Sequence, residues 1–255
     1  MKKFLTLPVF LLALTLTACG GGEGGSSSSS PTSEPTSEPT SEPAPTFEDY
    51  TLSQLHDARV ANQMSSLNEK FVSIKGKVTF AKRVDDTYNA IFIQNGKFGL
   101  EVSYPEPYEV NVGDSVEAKG QFVYTKVGDV PTIFLSTFQS VNEHFDVKVI
   151  DEAIEIETVN IKAESDLIEY NSSYASINFK VTGQKTNAAF VGSLDDDGSA
   201  FIVSRKLGLA EQFPEPPYEV NDGVNYKGVF TYTADSSAKV IRYLDREGFR
   251  RLLAE

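Results

Sequence analysis

Catalysis and metal binding need nucleophiles, bases or ligands at workable spacing, and this chain offers few. The densest cluster is SLDDDGS, which places Ser193, Asp195 and Asp197 ahead of Gly198 at the offsets of a twelve-residue calcium loop. The last position of such a loop needs a bidentate glutamate, and here it is Ser204. The segment therefore reads as a hairpin turn; Asp195 and Asp197 are weak candidates for a surface cation, and no metal site is assigned. His56 and His144 stand apart from any serine or carboxylate at a spacing that suggests a triad. No nucleophile elbow, zinc-protease or nucleotide-binding signature occurs. The expectation is a protein that is no enzyme and has no cofactor.

The one remaining nucleophile is Cys19, and its surroundings explain it. Two lysines, an apolar stretch from Phe4 to Leu16 that is too short to span a bilayer as a helix, and small residues before the cysteine read as a secretory signal over residues 1–18. LTAC followed by Gly20 resembles the lipobox of bacterial lipoproteins, which implies cleavage before Cys19 and lipidation of its thiol. Cys19 is the only cysteine, so no disulfide forms within the chain. By that resemblance the protein partners a membrane through lipidated Cys19 and sits on the outer face of the bacterial cell membrane, where two acyl chains anchor it without spanning.

Residues 19–46 continue as a run of Gly and Ser and then three copies of PTSE. So little apolar surface cannot offset the entropy of ordering, and the segment is expected to be a disordered linker. As a flexible coil, Gly20–Thr46 spans roughly 30 Å on average.

The rest of the chain, from Phe47, is long enough for two modest domains. A proline-bearing phrase occurs twice, YPEPYEV at 104–110 and FPEPPYEV at 213–220. Prolines exclude helix interiors and central strands, so these are connectors between repeated elements. The similarity extends to VSIKGKV and INFKVTGQ, with Gly76 opposite Gly183, and it sets Gly113-Asp114 against Gly223-Val224. Val72, Ile74, Gly76, Val78 and Phe80 alternate with polar residues, as do Val116, Ala118, Gly120, Phe122 and Tyr124, which is the period of a strand with one buried face. NAIFIQ, FGLEVSY and PTIFLSTFQSV supply the other strands. TLSQLHDARVANQM is expected to be a short helix capped by Thr51 or Ser53 with Leu52, Leu55 and Val60 inward. DREGFRRLLAE is expected to form a terminal helix.

Five strands in this order, with glycines inside the first and fourth, resemble an OB-fold. VSIKGKVTF, IFIQNGKFGLEV and VNVGDSVEAKGQFVY are similar to OB-fold domains of bacterial exported proteins, including surface lipoproteins and secreted nucleases. The expected fold is mainly all-β: two tandem five-stranded OB-fold-like barrels over 47–146 and 147–255, with short accessory helices. Tyr108 and Tyr218 of the connectors are expected to plug the barrel bottoms, the alternative being that they face solvent and grip a ligand. The fold places a binding face on the exterior of the second and third strands with their loops, which in the first copy nominates Arg83, Tyr88, Phe92, Gln94 and Glu101; the core is the other place for Phe92.

The formal net charge is −13, and without the leader lysines and linker glutamates the remainder still carries −11. Long-range attraction of a polyanion is absent, which disfavours nucleic acid. The expected role is a noncatalytic binding module for an extracellular protein or glycan. The alternative is an accessory subunit of an exported nuclease that binds single-stranded nucleic acid.

Overall fold

The computed structural model describes residues 44–83, 89–104, 110–138, 142–186, 189–194, 198–206 and 218–252. Cys19, Tyr88, Tyr108, Asp195 and Asp197 lie outside them, as does the side chain of Arg83.

The first half runs β1 (Glu48–Tyr50), α1 (Leu52–Val60), a 3-10 turn (Met64–Leu67), β2 (Phe71–Arg83), β3 (Asn89–Asn95), β4 (Phe98–Tyr104), β5 (Ser115–Val127), β6 (Val130–Ser136) and β7 (Asp146–Val149). The second runs β8 (Val159–Ile161), α2 (Glu164–Glu169), β9 (Tyr174–Thr186), β10 (Ala189–Leu194), β11 (Ala200–Arg205), β12 (Gly223–Ala234), β13 (Lys239–Tyr243) and β14 (Phe249–Leu252). The passage between the halves is residues 150–158, a few residues beyond a division at 146/147. Among the described residues no helix is long and apolar enough to cross a membrane.

In the first half β2, β3, β4, β6 and β5 are neighbours in that order, and β5 returns to pair with β2, which closes the barrel. The β4–β6 pair is parallel and the other barrel pairs are antiparallel. The second half repeats this order with β9, β10, β11, β13 and β12, again with one parallel pair, β11–β13. That is the OB-fold connectivity, twice. The alternation read from the sequence becomes an inward set in each: Val72, Ile74, Val78, Val116, Ala118 and Phe122 lie in the first core, and Ile177, Phe179, Val224, Tyr226, Phe230 and Tyr232 in the second. Each barrel also gains a parallel strand at its start, β1 on β2 and β8 on β9, and an antiparallel one at its end, β7 on β5 and β14 on β12.

The hydrogen-bond ladders give a different alignment of the repeats from the similar phrases. Gly113 N–H and Asn221 N–H donate to the carbonyls of Val78 and Val181, whose own N–H groups donate to the carbonyls of Asp114 and Asp222. Gly113-Asp114 therefore corresponds to Asn221-Asp222, not to Gly223-Val224, and Gly76 to Phe179, not to Gly183. Gly113 and Asn221 share a positive φ, 102° and 79°, a conformation that asparagine tolerates better than most side chains.

α1 forms as expected: the Thr51 hydroxyl accepts from the Gln54 N–H and the Gln54 side chain accepts from the Thr51 N–H, a capping box. Leu52 and Leu55 are buried, but Val60 is 66% exposed rather than inward. The C-terminal segment is not a helix. After a 3-10 turn at Arg246–Gly248 it extends as β14, because the outer edge of β12 offers unpaired backbone groups and Phe249 enters the core beside Tyr226 and Tyr243. Tyr218 is buried and packs edge-on against Phe190, closing the second core.

Candidate nucleic-acid or protein face and the crevice between the barrels

On the exterior of the second and third strands of each barrel the registers match residue for residue. Ala90, Phe92 and Gln94 of β3 correspond to Ala189, Val191 and Ser193 of β10; Gly99, Glu101 and Ser103 of β4 correspond to Ala200, Ile202 and Ser204 of β11. The two faces meet different fates. In the first barrel the face is covered by the second barrel, and in the second it remains partly or fully exposed.

The cover is built from several elements. Ile91 and Ile93 point into the first core, while Ala90 and Phe92 point outward and are nevertheless buried in a small separate cluster with Val229 and Leu244 of the second barrel. β3 is thus apolar on both sides, which accounts for the unbroken AIFI run. Gln94 is fully buried: its Oε1 accepts from the Tyr174 N–H at 2.6 Å, and its Nε2 donates to the carbonyls of Gly96 and Glu157 at 2.8 Å each. Burying an amide is tolerable only with such partners. At Gly99 the Ser172 carbonyl comes so close that a Cβ would overlap it. The passage strand adds a bridge between Gly96 and Ile156, and the β5–β6 turn adds one between Gly128 and Ala234.

The accessory helices form a second clasp. Arg59 of α1 donates from Nη1 to the carbonyls of Glu169 and Asn171 at 2.7 and 3.2 Å. Burial pulls its guanidinium down to about 10, against the favourable charge of Glu169. His56 stacks on Phe98 and Tyr170, with ring centroids 4.1 and 5.7 Å away, and its Nε2 lies 3.4 Å from Glu169 Oε1. His144 lies by Glu143, away from this clasp.

Of the residues nominated from sequence, Phe92, Gln94 and Glu101 come together, but Phe92 and Gln94 are occupied by the second barrel. Glu101 instead walls a crevice at the edge of the junction. Its Oε2 accepts from Lys206 Nζ at 2.5 Å, and that ammonium also stands 4.9 Å over the Phe92 ring. Thr132, Thr231, Thr233 and Arg242 line the same hollow, of about 290 Å³. A neighbouring hollow of about 370 Å³ lies on the other side of Glu101, against Ser103, Phe134 and Phe138. Sequence reasoning missed Lys206, Thr132 and Arg242: the partner of Lys206, Glu101, lies in the other barrel, and only the junction sets Thr132 of β6 beside Thr231 and Arg242 of the second barrel.

The second barrel's open face borders a shallow hollow of about 410 Å³ between Val191, Ala200 and Ile202 and the β12–β13 turn Asp235–Ala238. The Asp235 carboxylate accepts from the N–H groups of Ser237 and Ala238 and from the Ser237 hydroxyl, which holds the turn and keeps that carboxyl below its usual range. Lys239 at its end is paired with Glu164. The outward residues of β10 and β11 are aliphatic or hydroxyl-bearing, with neither an aromatic platform nor a charge among them.

No family model matches the chain, and no curated protein matches it. Among solved structures, a murine DNA binding protein bound with ds DNA is 13% identical with a TM-score of 0.39, over 72% of this chain and 96% of that one. The Ifi202 HINa domain in complex with 20bp dsDNA is 10% identical, with a TM-score of 0.36 over 69% and 93%. Schizosaccharomyces pombe Pot1pC bound to ssDNA is 9% identical, with a TM-score of 0.27 over 33% and 81%. The DNA in those structures is a property of those proteins.

Proposed function

We propose that this chain is a noncatalytic binding module, held on the outer face of a bacterial membrane by lipid on Cys19, and that it takes a protein partner on the open face of its second barrel. The observation that carries the reading is the unequal fate of two equivalent faces. The first shows what such a face accepts: a polypeptide surface, docked through an apolar cluster at Phe92 and backbone groups at Tyr174 and Ser172. The second presents Val191, Ala200 and Ile202 at the same positions and stays partly or fully exposed among the described residues. Its small aliphatic and hydroxyl groups suit a protein surface better than nucleic acid, which needs cations for phosphates and rings for bases.

The test compares the full chain with its Ile202→Asp variant as baits for extracytoplasmic proteins, with single-stranded DNA in parallel at two salt concentrations. The proposal expects a protein retained by the parent and lost by the variant, with no DNA retained. DNA binding that falls steeply with salt would favour the nuclease-accessory reading instead. For the anchor, Cys19→Ser should move the protein out of the membrane fraction; an unchanged distribution would refute lipid attachment there.

A further inference from the structure

The crevice between the barrels is separate from the open face, and its chemistry is unlike it. It is polar, and its inventory is incomplete. The Thr132 hydroxyl is buried with no hydrogen-bond partner among the described residues. Buried hydroxyls are normally satisfied, and one that is not requires an explanation. Across the hollow Arg242 donates from Nη1 to the Thr233 hydroxyl at 2.9 Å, and among the described residues no carboxylate pairs with its charge. Lys206 and Glu101 neutralise one another, so Arg242 sets the charge of the recess.

We propose that this crevice binds an acidic sugar unit of the uronate class. The guanidinium fork matches a carboxylate in shape and charge, as a single ammonium does not. The Thr231 hydroxyl both donates and accepts, which sugar hydroxyls require, and the second oxygen of Glu101 adds an acceptor. Beyond Glu101, Phe134 and Phe138 supply apolar surface for the C–H face of a pyranose ring. An amino acid fits less well, since its ammonium would need a free carboxylate and the one in this recess is already paired with Lys206. Both hollows are of the order that holds a small ligand rather than a macromolecule. Because the walls come from both barrels, the site exists only in the assembled junction.

The experiment is calorimetric titration of the full chain with galacturonate, glucuronate and a galacturonate dimer, using neutral galactose as control. Saturable uronate binding is expected, with galactose about tenfold weaker or more, since a lost charge-assisted hydrogen bond has that effect. Arg242→Gln should weaken uronate binding about tenfold or more while leaving capture of the protein partner intact, so the two proposals fail separately. Thr132→Val should raise the melting temperature of the free protein, because an unsatisfied buried hydroxyl is replaced by an isosteric methyl, and should leave uronate binding as in the parent. Equal binding of galactose, no saturation by any uronate, or an Arg242→Gln variant that binds as the parent does would each overturn the proposal.

Discussion

Gln94 of the first barrel receives the backbone N–H of Tyr174 of the second at 2.6 Å, across 80 residues of sequence. The same amide reaches the carbonyls of Gly96 and Glu157, the first of which also accepts from the Glu157 N–H. Gln94→Leu keeps the approximate volume, leaves the Tyr174 N–H and the Glu157 carbonyl without their Gln94 partner, and takes from the Gly96 carbonyl one of its two donors. The expected cost is about 3 kcal/mol, measured by denaturant unfolding, since each unpaired buried group costs about 1–3 kcal/mol and relaxation recovers part. A loss under about 1 kcal/mol would show that water reaches the junction.

Gly99 and Ser172 meet where no side chain fits. A Cβ at position 99 would overlap backbone, which cannot rotate aside as a flexible side-chain tip could. Gly99→Val should therefore part the barrels, at a cost of about 2 kcal/mol or more. Calorimetry should show one transition for the parent and two for the variant, one per barrel.

A motif shared by both barrels precedes their first long strands. Asn68 and Asn171 each accept on the side-chain oxygen from a backbone N–H, of Tyr124 and Tyr232 respectively, at 2.9 Å. The residues that follow, Glu69 and Ser172, have φ of 66° and 76°. Such conformations strain an L-residue and suit glycine. Glu69→Gly is expected to raise stability by about 0.5 kcal/mol, the relief of strain exceeding the entropy that glycine adds to the unfolded chain. Lys70→Gly, next door and without a positive φ, should lower it. Thermal unfolding of the pair decides.

The second core holds Tyr218, Tyr226, Tyr232 and Tyr243, and burial raises the pKa of each, that of Tyr243 to about 12. The Tyr226 hydroxyl donates to the Val229 carbonyl at 2.6 Å, and that of Tyr232 to Glu164 at 2.7 Å. A raised folded pKa means the neutral phenol stabilises the fold. That contribution is intact below the ordinary value of 10 and is lost as pH climbs above it toward the folded values. Alkali should thus unfold the second barrel first, with phenolate absorbance rising together with loss of its structure. Phenolate absorbance that rises fully near pH 10 while the barrel stays folded would contradict this burial.

Much of this was legible in the residues. Period-two alternation in VSIKGKV and SVEAKGQFVY marks one-sided burial, and the strand order then points to the barrel. The misreadings arose where distant partners decide. FRRLL is built of good helix formers, but its fate is set by the bare edge of β12 at Gly223–Tyr226. The similar proline phrases drew Gly113 onto Gly223, whereas the ladder pairs it with Asn221, a correspondence of backbone conformation rather than residue type. The fate of the first face was half visible. The AIFI run signals a strand buried on both sides, but nothing local to Gln94 reveals that its partner is the backbone of Tyr174.

The central claim is that one of two equivalent faces is sealed and the other open. It is tested most directly at Ala90 and Ala189, which occupy the same place in β3 and β10. In a chain carrying Cys19→Ser, Ala90→Cys and Ala189→Cys are each given a water-soluble thiol reagent, without denaturant. The cysteine at 189 should react at a rate near that of a free thiol, while the one at 90 should stay protected until denaturant unfolds the protein. Comparable rates at the two positions would mean that the second barrel does not cover the first, and the account would fail.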